Sequence, residues 1–358
     1  HLFQDSPSVA MGIFEGHMGK MAEGFKALRM ARIELDKGYQ AAEHQAFMTY
    51  FNWKDFTEEE WRLCPPVVSI GGDGAMYDIG FQNLSRALMS GMPIKVLVLD
   101  TQVYSNTGGQ SCTSGFIGQV ADMAPYGKVW KGKTEIRKEM GLIGLAHRTS
   151  FVLQGSISHL SHLLEGYIDG LNSHRPALFN IYAVCQPEHG VPDYSSERQS
   201  RLAVESRAYP LFRYDPDVGT SFEECSSIEG NPNPEEDWIS WAIKYQDEAG
   251  KEQQMEVPMT FADFAMTEGR FRKHFRKAPP ETWNDAMVPL HEFLDLDAGE
   301  REDRFPFIWG VDSKNRLMRA LVSQELVNSC EERRAFWRQL RGLVGLDRQF
   351  DEEAVRNQ

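Results

Sequence analysis

The chain alternates between short, almost wholly apolar runs and longer stretches in which apolar residues recur every three or four positions. Val67-Val68-Ser69-Ile70, Ile94 to Leu99, Phe151-Val152-Leu153 and Ala177 to Val184 are the apolar runs, each of the length of one buried strand. Pro65-Pro66 ends any helix before the first of them. Between the runs, Asp78 to Ser90, Thr134 to His147 and Ser158 to Leu171 carry helical spacing. Strands separated by helices of that length need crossover connections, which leads to a parallel sheet with helices on both faces. The expected fold class is α/β.

The flanks differ from this core. Met18 to about Phe47, rich in Met, Ala, Lys, Glu and Leu, predicts helices, so residues 1–60 are expected to be a helical segment leading into an α/β domain over 61–215. After Tyr214, acidic and Pro-rich stretches (Glu223-Glu224, Asn231 to Asp237, Asp295 to Asp303) separate more ordered pieces. Residues 216–358 are therefore expected to form acidic loops and a helical C-terminal arm. Its predicted helices are Phe261 to Phe275 and Gln324 to Leu343, the latter with Leu326, Cys330, Phe336, Leu340 and Leu343 on one side. There are no internal repeats.

Composition narrows the function. Among 358 residues, 38 basic against 52 acidic ones give a net charge of −14, which opposes binding to nucleic-acid backbones or anionic membranes. The apolar runs fall far short of the roughly 20 residues a membrane helix needs. Neither nucleic acid nor membrane is expected as a partner. Cys64, Cys112, Cys185, Cys225 and Cys330 are odd in number and scattered, which fits a reducing, cytoplasmic compartment better than a disulfide framework. No CxxC pair occurs, so a metal cluster would need ligands from elsewhere. The chain starts at His1 without an initiator Met or a secretory pattern and is expected to be a piece of something longer.

The candidate chemistry lies at the ends of the first two strands. Gly71-Gly72-Asp73-Gly74-Ala75-Met76-Tyr77-Asp78 joins a strand to a helix. Glycines let the backbone approach a ligand closely, and a helix start offers free N–H groups to phosphate. A bare Asp would repel phosphate there, so Asp73 makes sense as the carboxylate ligand of a bridging Mg²⁺. Ligands of open parallel sheets bind at the carboxyl ends of strands. The next strand ends in Asp100-Thr101-Gln102-Val103-Tyr104-Ser105-Asn106-Thr107-Gly108-Gly109-Gln110, a run of oxygen donors able to complete an octahedral shell.

The Gly-Asp-Gly turn followed by Asp100-Thr101 resembles the thiamine diphosphate motif, whose second element is more often two asparagines. Val103-Tyr104-Ser105-Asn106-Thr107-Gly108-Gly109-Gln110 resembles the pyruvate:ferredoxin (flavodoxin) oxidoreductase family. Leu2-Phe3-Gln4-Asp5, Tyr209 to Tyr214 and Asp263 to Phe271 resemble flanking segments of the same family, so most of the chain is covered. The stretches around 221–257 and 278–310 look expanded relative to its pattern.

The resemblance implies a thiamine diphosphate-binding part of an enzyme that oxidatively decarboxylates a 2-oxo acid, pyruvate by preference, to an acyl-coenzyme A and CO₂. Electrons would leave through [4Fe-4S] clusters to ferredoxin or flavodoxin. It further implies Asp73, Thr101 and the Val103 carbonyl as Mg²⁺ ligands, Gly72, Gly74 and Ala75 at the diphosphate, and Asn106 near the diphosphate and reacting centre. Cys185 matches one thiolate ligand of the nearest cluster, although Gln186-Pro187-Glu188-His189-Gly190 runs one residue longer than the family's usual spacing. The remaining domains or subunits would supply the other cluster ligands and most substrate contacts, within an oligomer.

Plainer readings sit beside these. A glycine-rich turn occurs in many α/β proteins, and Cys185 taken alone reads as a small buried hydrophobe. His159 and His162 lack acidic or thiol neighbours in sequence and read as solvent-facing or packing residues. Lys128, Lys131, Lys133, Arg137 and Lys138 could meet coenzyme A or an acidic carrier, or form a solvated helix start. Two other classes share part of the pattern: a non-oxidative thiamine diphosphate decarboxylase or carboligase, which needs no Cys185, and a non-catalytic assembly subunit.

Overall fold

The structure is a computed structural model that describes residues 7–36 and 38–347, so the resemblance in Leu2-Phe3-Gln4-Asp5 lies outside the described residues. A six-stranded sheet forms the centre, in the order Val68–Gly72, Lys95–Asp100, Ala177–Tyr182, Phe151–Ser156, Phe212–Tyr214, Ser226–Ser227. The first four strands are parallel. The last two run antiparallel and close one edge.

Side chains of the parallel strands alternate between two apolar layers, which is why both faces had to be apolar in sequence. Val96, Val98, Val152 and Leu178 pack with Phe14 and Met18 of the helix Pro7–Asp36, Leu84 and Leu88 of Phe81–Met89, and Met140 and Leu145 of Met140–Ala146. Phe151, Leu153, Phe179 and Ile181 pack on the other side with Leu163 and Tyr167 of the helix Leu160–Asn172. The α/β architecture with helices on both faces is as expected. No helix among the described residues is long and apolar enough to cross a membrane.

Two expected helices differ in their bounds. Helical winding starts at Gly74, directly after Asp73, as a π-helical turn Gly74–Ile79, before the α-helix Phe81–Met89. The helix expected over Thr134 to His147 covers only Met140–Ala146. Tertiary contacts hold the preceding residues extended: Arg137 donates to the Ser114 carbonyl at 2.6 Å and the Lys138 amide to the Thr113 carbonyl at 2.9 Å. The basic run is consequently no solvated helix start, since Arg137 and Lys133 are buried.

The region after 216 holds more strand than its acidic composition suggested. Ser240–Gln246 and Glu252–Pro258 form an antiparallel hairpin, and Phe275–Ala278, Leu317–Val322, Phe305–Val311 and Met287–Pro289 form a four-stranded sheet. The acidic loops expected there are thus in part β structure. In Glu252–Pro258 the charges occupy the exposed alternate positions, so composition averaged over the stretch conceals the period of two. Phe261 to Phe275 divides into a helix Phe261–Met266, a 3₁₀ turn Gly269–His274 and the first residue of a strand. Gln324–Leu343 is helical with the expected bounds and buries Leu326, Cys330, Phe336 and Leu340. Leu326 and Cys330 share a cluster with Phe116 and Tyr182, so this region shares a core with the carboxyl edge of the central sheet.

The helix Leu160–Asn172 approaches its sheet through glycine: a Cβ on Gly170 would lie 2.5 Å from the Phe179 ring and 2.9 Å from Phe151. Gly24, in the helix Pro7–Asp36, has nothing within 4 Å. Ala is favoured over Gly in a helix by about 1 kcal/mol, whereas overpacking costs about 1–3 kcal/mol. Gly24→Ala is therefore expected to raise the urea midpoint and Gly170→Ala to lower it. Equal rises in both would show that the helix does not depend on this close approach.

Candidate cofactor site

Asp73 closes the strand Val68–Gly72 and caps the π-helical turn, its Oδ1 accepting from the Gly74 amide at 3.0 Å. Its Oδ2 accepts from the Val103 amide at 2.9 Å and from Ser114 Oγ at 2.7 Å. Thr101 Oγ1 lies 3.2 Å from Asp73 Oδ1 and 3.0 Å from the Val103 carbonyl oxygen, and Ser105 Oγ donates to it at 2.8 Å. The three oxygens expected as metal ligands have thus been brought together from two strand ends.

The two distances from Thr101 Oγ1 are compatible with neighbouring positions around Mg²⁺. An octahedron with ligands at about 2.1 Å has neighbouring oxygens about 3.0 Å apart. The electrostatics agree, because Asp73 is 2% exposed and no basic side chain reaches it with a hydrogen bond or ion pair among the described residues. Burial, reinforced by the neighbouring Asp100 carboxylate, pushes its pKa up to about 7. A carboxylate so placed favours its charged form when a cation arrives. Asp100 itself is served by Arg137 Nη2 and Tyr77 Oη, each at 2.8 Å.

The glycines are required where they stand. A Cβ on Gly74 would lie 2.6 Å from the Tyr104 ring, and Gly108 and Gly109 have φ of +102° and +94°. Gly72 is exposed and Ala75 half-buried at the start of the turn. Asn106 sits exposed on the 3₁₀ turn Ser105–Thr107, outside the cluster of Asp73, Thr101 and Val103 oxygens. Cys185, a free thiol, is half-buried at the start of the short helix Gln186–His189, beyond the adjacent strand Ala177–Tyr182. Among the described residues no group of three or more His, Cys, Asp or Glu could hold a metal ion, so they do not furnish a whole iron-sulfur cluster.

Residues 62–181 match the family described as thiamine pyrophosphate enzyme, C-terminal TPP binding domain. The chain is 40% identical over 151 residues to pyruvate:ferredoxin oxidoreductase of Moorella thermoacetica, covering 42% of this chain and 12% of that protein. It is 34% identical over 150 residues to pyruvate-flavodoxin oxidoreductase of Trichormus variabilis, again 42% and 12%. The resemblance to the pyruvate:ferredoxin oxidoreductases stands. Pyruvate synthase subunit PorB of Thermotoga maritima is 32% identical over 145 residues, covering 40% of this chain and 45% of that subunit. The chain thus spans about an eighth of the first two relatives and less than half of the third.

Sequence reasoning missed the supports of this candidate site. Ser114 reaches Asp73 from a loop without a recognisable pattern. His189 Nε2 bonds the Thr101 carbonyl at 2.8 Å, and Arg270 Nη2 donates to Gln102 Oε1 at 2.6 Å. A basic residue beside Glu268 in the segment that resembled the family's arm was the only available signal. His159 accepts or donates to Ser158 Oγ at 2.9 Å, whereas both ring nitrogens of His162 are buried without partners, so the two histidines form no joint metal site.

The raised pKa of Asp73 has a thermodynamic consequence. Its ordinary value is 3.8, so the folded state holds the proton more tightly than the unfolded state. Metal-free protein should therefore gain stability from this group at or below about pH 4 and lose it as pH rises through about 7. Asp263, buried and also pushed up to about 7, adds a slope of the same sign. Asp73→Asn is expected to reduce, without abolishing, the fall in melting temperature between these pH values. An unchanged slope would show that Asp73 is already ionised in the metal-free fold.

Proposed function

We propose that this chain holds Mg²⁺ and thiamine diphosphate as one part of a 2-oxo acid:ferredoxin or flavodoxin oxidoreductase that uses pyruvate. The observation that carries this reading is the approach of Asp73 Oδ1 and the Val103 carbonyl to Thr101 Oγ1 at 3.2 and 3.0 Å, beside a turn where Gly74 admits no side chain. The similarity to pyruvate:ferredoxin and pyruvate-flavodoxin oxidoreductases supports the reaction class. The relevant unit is residues 61–215, with the described residues of 7–60 and 216–347 packing around it.

Asp73, Thr101 and Val103 would hold the metal, and Gly72, Gly74 and Ala75 would receive the diphosphate at the start of the π-helical turn. When bound, thiamine diphosphate supplies an electron sink for cleaving the bond next to a 2-oxo acid's carbonyl. The chain's own contribution is positional: it fixes the metal oxygens on two strand ends, so the cofactor is oriented before substrate arrives. Asn106, on the exposed turn, would face the reacting centre. Cys185 would give one thiolate to a [4Fe-4S] cluster whose other ligands belong to further domains or subunits. These would complete the oligomer, bind coenzyme A and pass electrons to ferredoxin or flavodoxin in the cytoplasm.

The test is metal, iron and thiamine analysis of the complete native assembly purified without oxygen, together with coenzyme A-dependent reduction of a viologen dye by pyruvate. Thiamine without iron or dye reduction would point to a non-oxidative enzyme, and neither cofactor to a non-catalytic subunit. In that assembly Asp73→Ala should abolish Mg²⁺-dependent thiamine diphosphate binding, and unchanged affinity would remove Asp73 from the site. Cys185→Ser should leave thiamine content intact while altering the electron paramagnetic resonance of one cluster.

A further inference from the structure

Gln102 lies between the two residues that present metal-binding oxygens, and its backbone is left-handed, with φ of +62°. Glutamine does not favour that region, and no glycine is used there. The side chain is wholly buried and its Nε2 has no hydrogen-bond partner, so Oε1 is the atom that anchors it. Its Oε1 accepts from Arg270 Nη2 at 2.6 Å, across 168 positions of sequence. Its carbonyl accepts from Gln119 Nε2 at 2.9 Å, and Gln119 Oε1 in turn accepts from Arg270 Nη1 at 3.3 Å. Arg270, Gln102 and Gln119 therefore form a closed ring of hydrogen bonds around one strained residue.

Arg270 is itself held rigidly. Its Nε donates to Glu268 Oε2 at 2.6 Å, and its carbonyl accepts from the Val120 amide at 3.0 Å. Glu268 Oε1 lies 3.5 Å from Nδ1 of His189, whose Nε2 bonds the Thr101 carbonyl. The Gln102 carbonyl is thus tied through Gln119 to Arg270, while the Thr101 carbonyl is held by His189, which packs beside Glu268 without a hydrogen bond to it. With them fixed, Thr101 Oγ1 and the Val103 carbonyl meet at 3.0 Å across the left-handed turn.

We infer that Arg270 is a positioning residue for the metal-binding loop: by clamping Gln102 in its left-handed conformation, it holds Thr101 and Val103 in the arrangement that receives Mg²⁺ and the diphosphate. This rests on the reading of the loop given under Proposed function. The C-terminal region then acts on cofactor affinity without touching the cofactor.

The test compares native protein with Arg270→Lys, with Glu268→Gln/Arg270→Met, which leaves no unpaired buried charge, and with the triple variant that adds Gln102→Gly. Two quantities are read in the complete native assembly: hydrogen–deuterium exchange of the amides of residues 101–111 without cofactor, and the thiamine diphosphate concentration for half-saturation at fixed Mg²⁺. The double variant should exchange faster in this loop than in the strands Lys95–Asp100 and Ala177–Tyr182, and its half-saturation should rise about 10–100-fold with saturated turnover largely kept. Lysine, reaching fewer acceptors, should fall between. Glycine adopts the left-handed φ unaided, so the triple variant should recover much of the loss. Native loop exchange and half-saturation in the double variant, or no recovery with glycine, would overturn the inference. A native assembly that binds no thiamine diphosphate would overturn the functional reading instead, while the exchange measurement would still judge the clamp.

Discussion

Two carboxylates buried at the ends of adjacent parallel strands are the constraint around which this molecule is arranged. Asp100 is fully buried and Asp73 nearly so, and two such groups cannot both ionise in a dry sheet edge without partners. The fold neutralises one of them internally. Arg137, also buried, sits 2.8 Å from Asp100 and 3.2 Å from Glu139, and Glu139 lies 2.5 Å from Arg333 of the long C-terminal helix. Asp73 receives only neutral donors. On the proposed reading, Asp73 is the carboxylate left for an incoming cation, and the fixed dipoles around it would not need to rearrange on binding.

That arrangement gives the C-terminal region a share in the site. Phe116 lies in the core common to both regions, with the guanidinium carbons of Arg137, Arg333 and Arg270 at 5.3, 5.5 and 5.9 Å from its ring centre. Three cations around one aromatic ring keep charge at the sheet edge while their stems exclude water. The acidic loop near Asn231 to Asp237 is tied in as well: the carbonyls of Pro232, Asn233 and Glu236 accept from Arg207, and the Glu236 carbonyl also accepts from Trp337 Nε1. A stretch that composition describes as solvated loop thus serves as a rim of acceptors for the buried Arg207 and Trp337.

The strands of the central sheet were legible because burial on both faces forces near-continuous apolar runs, and their carboxyl ends pointed to Asp73 and Thr101 before any contact was known. The helix Gln324–Leu343 was legible for the matching reason, since one apolar side repeats with helical period. The hairpin Ser240–Gln246 and Glu252–Pro258 was not, because a solvent-facing antiparallel pair carries its charges on alternate positions and its short apolar half resembles a loop. The extended course before Met140 was not legible either: Lys133, Arg137 and Lys138 are good helix formers, and backbone bonds of Lys133 to Gly118 and Gln119, with bonds of Arg137 and Lys138 to Ser114, Thr113 and Tyr77, hold them out of a helix.

For the site, local sequence determined the groups that lie next to one another: the Gly72-Asp73-Gly74 turn, the Thr101 hydroxyl and the glycines at 108 and 109, with Gly74, Gly108 and Gly109 demanded by a backbone that must turn or approach closely. Tertiary structure alone decided what fixes those donors, since Ser114, His189, Glu268 and Arg270 arrive from segments far along the chain and carry no periodic signal. It also decided the charge state of the site. Whether a buried Asp meets an arginine, as Asp100 does, or only neutral donors, as Asp73 does, depends on distances of a few ångströms that a one-dimensional pattern does not contain.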